Sequence, residues 1–237
     1  MTVRKTDTRA RSALVHLTSP GWLLAGLLFA ACAVSAPPDD PREQGGEPEV
    51  EDARGWSAVI TEEDRERLNR LPEAWTTALA QAREAGFGDE LSDLGELVNP
   101  NTVLPDPAPP PGSYRCRTIK LGTQSDLLAF VSYGWFGCRV TQSGDTLRLE
   151  KVSGSQRQQG TLYPNDDRRL MFLGTVTMGS GEGPGPAYGT DPERDVVGVM
   201  ERFAPERWRL VQPWPHFESV LDLLELVPVS TGAAGEG

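Results

Sequence analysis

The sequence predicts a mainly β protein of the α+β type, in which a short helical segment precedes an eight-stranded antiparallel barrel. Three observations carry this expectation. From residue 112 to residue 228, short runs rich in Val, Thr, Leu and aromatic residues alternate with Gly, Asp and Asn, the pattern of strands punctuated by turns. Neighbouring runs are closely joined, as at Ser143, Gly144 and Asp145 and at Pro164, Asn165, Asp166 and Asp167, which argues for hairpins in a meander. Within the runs apolar and polar residues alternate, so each strand has one face to bury. Eight such strands suit a closed barrel.

The runs lie near residues 112–120, 129–142 with a break at Gly134, 146–153, 156–163, 169–178, 196–203, 207–212 and 219–227. Alternation assigns their faces. Tyr114, Cys116 and Thr118 share one face of the first run and Arg115 and Arg117 the other, while Phe136, Cys138 and Val140 oppose Gly137, Arg139 and Thr141. Leu170, Phe172 and Val176, then Val197, Val199 and Phe203, then Trp208 and Leu210 are expected to complete the core.

Ahead of the barrel, Thr61 offers a capping hydroxyl and Glu62, Glu63 and Asp64 put acids in a first helical turn, where the helix dipole favours them. Leu68, Leu71, Trp75, Leu79 and Ala82 recur at helical spacing as one core-facing stripe. Pro72 removes a backbone donor inside that run. Two short helices or a kink are therefore expected, with Gly86 at the left-handed cap position.

The chain begins with Arg4, Lys5, Arg9 and Arg11 ahead of an apolar stretch at residues 22–31, the order of a secretory signal. The 16 low-polarity residues from 21 to 36 fall short of the roughly 20 that a spanning helix needs. Phe29, Ala30, Ala31 and Cys32 resemble a lipobox, with Phe29 where Leu is usual. The rival cleavage, after Ala36, would leave Pro37 just past the cut, a poor context for ordinary signal peptidase. The preferred division is a signal peptide at 1–31, an acidic, Pro-rich, disordered tether at 32–55 opened by a lipidated Cys32, a helical segment at 56–104, the barrel at 105–228 and a disordered tail at 229–237. Each lipid CH₂ buried contributes roughly 0.8 kcal/mol, so a multiply acylated Cys32 would hold a membrane firmly. Ala33 is compatible with outer-membrane sorting, so the expected location is the cell envelope, facing the periplasm.

Loss of residues 1–31 takes away four basic groups and one acidic group, so the net charge moves from −11 to −14. Nucleic acid is excluded as a natural partner. Only residues 112–176 are net basic, with nine basic and five acidic groups, which directs attention to Arg115, Arg117, Arg139, Arg157, Arg168 and Arg169 as candidates to grip an anionic head group bidentately. Structural pairing with Glu201 or Asp195 is the competing reading for two of them. With Cys32 assigned to lipid, Cys116 and Cys138 remain as an even pair in an oxidising compartment. A disulfide between them would enclose 22 residues and contribute roughly 3 kcal/mol; two buried free thiols are the alternative.

Several segments carry a resemblance: Tyr-Arg-Cys-Arg-Thr-Ile-Lys-Leu-Gly at 114–122, Gly-Ser-Gln-Arg at 154–157, Leu-Tyr-Pro at 162–164, Tyr-Gly-Thr-Asp-Pro-Glu-Arg-Asp at 188–195 and Arg-Trp-Arg-Leu-Val-Gln-Pro-Trp-Pro at 207–215. On these the chain, from about Trp56 to Pro228, resembles the bacterial domain of unknown function 4893 family. The resemblance implies an envelope setting and supplies no activity. Gly112, Ser113 and Tyr114 are also similar to the Gly-x-Tyr opening of lipocalin-like barrels.

Catalytic equipment is sparse. His216 is the one histidine left after removal of the leader, which excludes multi-histidine zinc sites. A triad would have to recruit His216 with Glu218 and a distant serine, without a Gly-x-Ser-x-Gly elbow. The glycine-rich stretch at 179–186 lacks the Lys-Ser/Thr ending of a phosphate loop. Asp191, Glu193 and Asp195 alternate like calcium ligands, but Pro192 and the lack of a downstream acid argue against a site. Asp166 with Asp167 reads as a turn rather than as an acid–base pair. No metal or cofactor is expected, and the protein is not expected to be an enzyme. The functional expectation is a lipid-anchored, lipocalin-like barrel that binds a small apolar or amphipathic molecule. A scaffold or protein-interaction module is the alternative, and a hydrolase using His216 the third reading.

Overall fold

The computed structural model describes residues 55–229 apart from 126, 180 and 182. The expectations about residues 1–54, including Cys32, and about 230–237 lie outside the described residues.

Two helices form where the apolar stripe places them. Thr61 caps α1 (Glu62–Asn69) by accepting from the Asp64 amide at 3.3 Å, and Pro72 falls in the first turn of α2 (Leu71–Glu84), where its missing N–H costs nothing. The break at Arg70 is thus the division that Pro72 predicts. At the end of α2 the Phe87 amide reaches the Ala82 carbonyl and the Gly86 amide the Arg83 carbonyl, both at 3.0 Å. Gly86 sits at φ 92°, which completes a Schellman cap. A further helix, α3 (Gly88–Leu94), and a 3-10 turn (Gly95–Val98) follow.

The strands are β1 (Gly112–Leu121), β2 (Phe130–Ser132), β3 (Phe136–Ser143), β4 (Thr146–Lys151), β5 (Gln156–Pro164), β6 (Arg169–Met178), β7 (Asp195–Ala204), β8 (Arg207–Pro213) and β9 (Leu221–Pro228). Consecutive strands from β3 to β9 pair antiparallel, and β9 returns to β1 with Tyr114 opposite Pro228 and Leu121 opposite Leu221. The other edge of β1 is shared: β3 covers Gly112 to Cys116 and β2 covers Ile119 to Leu121. β2 and β3 therefore act as one strand broken around Gly134, and the result is a closed eight-stranded antiparallel barrel. Each predicted run corresponds to one of its eight positions.

Tyr114, Cys116, Cys138, Leu149, Phe172, Trp208, Leu210 and Leu224 pack inside the barrel, in the alternation expected of β1, β3, β6 and β8. The Cys116–Cys138 disulfide lies there, joining β1 to β3. Val197, Val199 and Phe203 correct the expected core. In β7 the even-numbered residues face inward, as Met200 does; Phe203 packs outside with Trp75, Leu79 and Ala82, and Val197 packs with Ile60 and Leu173. The helices bury the outer face of this part of the barrel, so β7 is apolar on both sides.

Gly160 of β5 stands opposite Gly174 of β6. A Cβ on Gly160 would lie 2.5 Å from both Gly174 Cα and the Leu173 carbonyl oxygen and 2.7 Å from Phe172 Cζ. Gly160→Ala is therefore expected to cost about 2 kcal/mol through overpacking. Urea unfolding checks this: an unchanged midpoint would mean that β5 and β6 can separate locally without penalty.

Candidate functional site

The barrel interior changes character along its axis. At the end holding Tyr114, Leu162, Met200 and Trp208, the inward positions are apolar and filled. At the opposite end the same alternation turns polar side chains inward: Thr118 and Lys120 on β1, Lys151 on β4, Gln158 on β5, Gln212 on β8 and Asp222 on β9, all buried. Burying such groups is costly unless they find partners, so their pairing defines what this mouth can do.

Lys120 is well paired. Its Nζ lies 2.9 Å from Glu218 and 3.5 Å from Asp222; burial works against its charge, yet the two carboxylates outweigh it and its pKa is raised. Burial pushes the Asp222 pKa up against the pull of Lys120 and the Ser219 hydroxyl. Lys151 has no such partner: its Nζ approaches the Thr118 hydroxyl at 3.5 Å and the Phe136 ring at 4.5 Å. Burial, with Lys120 nearby, lowers its pKa to about 8.

Beside this mouth the barrel wall opens. β7 and β8 pair only as far as Val199 and Val211, and Pro213 at the end of β8 has no N–H to continue a ladder. Between the separated ends runs a cleft of about 40 Å³ that reaches from Lys120, Gln158 and Asp222 inside to Arg67 of α1, Asp195 and His216 outside. It can hold a few waters or one small polar group, since a water needs roughly 10–15 Å³ by this measure.

Four of the six buried side-chain atoms without a hydrogen-bond partner, among the described residues, belong to its lining: Arg67 Nε, Gln158 Oε1, Gln212 Nε2 and His216 Nε2. Buried polar groups in folded proteins are overwhelmingly paired, so the convergence of four unpartnered atoms sets this cleft apart. The loop carrying His216 is bent at both ends through left-handed residues, Trp214 at φ 47° and Glu218 at φ 71°, conformations that cost of order 1–3 kcal/mol and gather at functional sites.

Around His216 the charges are held tightly. Asp64, fully buried, accepts from Arg67 and from the Tyr188 hydroxyl at 2.6 Å. Arg67 also donates to the Asp195 backbone carbonyl at 3.2 Å. The Asp195 carboxylate accepts from the Gly189 amide at 2.9 Å, and burial raises its pKa. Burial and Arg67 lower the pKa of His216, which keeps the ring neutral at pH 7. Its Nδ1 lies 3.8 Å from Glu63. Glu218, the partner that sequence spacing offers His216, is engaged by Lys120 instead, and Ser219 is bonded to Asp222. No serine hydrogen-bonds His216 among the described residues.

The arginines singled out from sequence lie on the outer face. Arg115 and Arg117 stack over Trp135 at 4.5 and 4.9 Å, and Arg117 also pairs with buried Glu225 at 2.6 Å. Arg139 is exposed on β3, opposite Ser113 and Glu150. Arg157, with β3 and β4 between it and β1, donates to the Gly154 and Gly179 carbonyls. Arg169 pairs with Glu201 at 2.9 Å, and Arg168 donates to the Val103 carbonyl at 2.8 Å. The inward polar residues of this mouth, Lys120, Lys151, Gln158, Gln212 and Asp222, are not among the sequence candidates, although the alternation that turns Cys116 and Leu149 inward turns Lys120 and Lys151 inward too.

Among the described residues no group of His, Cys, Asp and Glu is arranged to hold a metal ion, and no helix is long and apolar enough to cross a membrane. Fold and site together define a small closed antiparallel β-barrel, capped on its flank by helices, with a polar cleft at one end. The family model described as a domain of unknown function, DUF4893, matches residues 56–226, and the chain belongs to that family. No curated protein and no solved structure matches the chain.

Proposed function

We propose that this protein is an exported, lipid-anchored envelope protein whose barrel binds the polar end of a small amphipathic or anionic molecule in the cleft at its mouth. The export and anchoring part rests on the basic residues, apolar stretch and Cys32 of the leader. The observation that carries the binding part is the meeting of unpartnered Arg67, Gln158, Gln212 and His216 atoms at one cleft. The filled apolar end of the barrel leaves the polar head, rather than a hydrocarbon chain, as the part that enters.

Native mass spectrometry of the mature protein, purified from the cells that export it, tests the reading. A reproducible small-molecule adduct is expected, and it should vanish in a Gln158→Leu/Gln212→Leu variant that still folds. A clean apo mass, together with ordered waters bridging these groups in a crystal, would overturn it. Anchoring is read separately: Cys32→Ser should move the protein from the membrane to the soluble fraction and remove the acyl mass.

A second reading, docking of a protein partner, draws on exposed apolar side chains in the loops at the same end, Leu127, Leu128, Tyr133, Trp135 and Phe217. Contiguous exposed apolar surface marks interaction sites. Crosslinking in cells separates the two, because docking would retain a protein at these loops.

A further inference from the structure

Lys151 is a buried ammonium at the barrel mouth with no carboxylate within ion-pair distance among the described residues. Asp222, the acid whose charge acts on it, is taken by Lys120, with which Glu218 also pairs. Beside Lys151 is a pocket of about 70 Å³ lined by Thr118, Tyr133, Phe136, Ser155 and Gln156. Gln156 also lines the cleft between β7 and β8, so the two spaces adjoin. Tyr133, Ser155 and Gln156 make no side-chain hydrogen bond among the described residues, which leaves two hydroxyls and an amide to donate. The Phe136 ring covers the lysine at 4.5 Å and shields it from water, which strengthens any charge interaction made there.

We propose that this pocket binds a carboxylate, the anionic end of a small organic acid, through Lys151 with Thr118, Tyr133, Ser155 and Gln156. The proposal rests on the ligand-binding reading above and names its ligand class. A singly charged group disturbs the local charge less than a dianion: Lys120 and Lys151 already balance Asp222 and Glu218 at this mouth, so a monoanion leaves one surplus negative charge whereas a phosphate dianion would leave two. Such a site also accounts for a lysine that weakens the apo fold. Its folded pKa, about 8, lies below the unfolded value near 10.4, so the charged lysine costs stability below pH 8. That cost is relieved as pH rises from about 8 toward 10.4.

The titratable and charged groups around Lys151 are Lys120 of β1 and Asp222 of β9, Tyr133 of the β2–β3 turn, and Glu150 and Arg157 on the outer side of β4 and β5. A pH change from 7 to 9 titrates Lys151 while staying below the usual range of phenols and other lysines. The test is calorimetric titration of the mature protein with sodium octanoate. Binding at pH 7 is expected to weaken about tenfold at pH 9, following the fraction of Lys151 still charged. Lys151→Met should abolish binding at pH 7 while melting at or above the wild-type temperature. Independently of any variant, the Lys151 side-chain NMR titration should move up by about two units when octanoate saturates the site, the shift that a tenfold loss between pH 7 and 9 requires.

Absence of octanoate binding to the wild type, equal binding by Lys151→Met, or a preference for octyl phosphate over octanoate would each overturn the carboxylate site. The broader reading is scored apart from this one, by the native adduct and its loss in the Gln158→Leu/Gln212→Leu variant.

Discussion

Arg209→Met is expected to lower the stability of the folded unit by about 3–5 kcal/mol, the range for breaking a buried charged network, and its melting temperature by roughly 10 °C or more. Arg209 is fully buried on the outer face of β8. It donates to Glu201 at 2.9 Å and to the carbonyls of Glu96 at 3.1 Å, Leu97 and Asn99 at 2.9 Å and Thr102 at 3.2 Å. Those carbonyls end the 3-10 turn and the segment after it, where a helix leaves acceptors without internal partners. One guanidinium thus seals a helix end onto the barrel. Arg169 still pairs with Glu201 in the variant, so most of the loss comes from the orphaned carbonyls. Lysine should not rescue, because its ammonium cannot reproduce the planar fork that reaches carboxylate and carbonyls at once. Thermal and urea melts of Arg209→Met and Arg209→Lys decide the matter; a loss under 1 kcal/mol in both would show that water satisfies these carbonyls as well as arginine does.

Removing the disulfide by a Cys116→Ala/Cys138→Ala double substitution is expected to cost about 3 kcal/mol, the loop-closure entropy that a 22-residue span withholds from the unfolded chain. The bond ties β1 to β3 at the edge where β1 is shared between two strands, so it also secures the point where that edge passes from one strand to the other. With a urea slope of about 2 kcal/mol per molar, the midpoint should fall by about 1.5 M. Both cysteines are buried, and reductant followed by alkylation without denaturant should leave them untouched. A double variant with the wild-type midpoint would mean that the interior packing around Tyr114 and Phe136 holds this edge by itself.

Legibility from sequence followed the range of the interactions involved. Strand positions, the break at Gly134, the helix division at Pro72 and the Gly86 cap depend on residues within a few positions of one another, and each could be read directly. The inward face of β1 and β3 was equally legible, because Arg115, Arg117 and Arg139 mark the other face. In β7 the same reasoning fails: residues 197–200, Val-Gly-Val-Met, are buried on both faces, so alternation carries no phase there. The arginines drew attention as charges, yet Arg117 and Arg169 meet Glu225 and Glu201 across strands, in pairings that the composition of a segment does not reveal.

Local alternation and turn chemistry by themselves determined that this chain makes eight antiparallel strands behind a helical segment and that Cys116 and Cys138 share an inner face. Only the tertiary structure decided that Lys120, Lys151, Gln158, Gln212 and Asp222 gather at one end, that the wall opens between β7 and β8, and that α1 brings Arg67 to the gap. The physical reason is closure. The pairing of β9 with β1 joins residues about a hundred positions apart, and the stagger of that ring sets which side chains reach the mouth together.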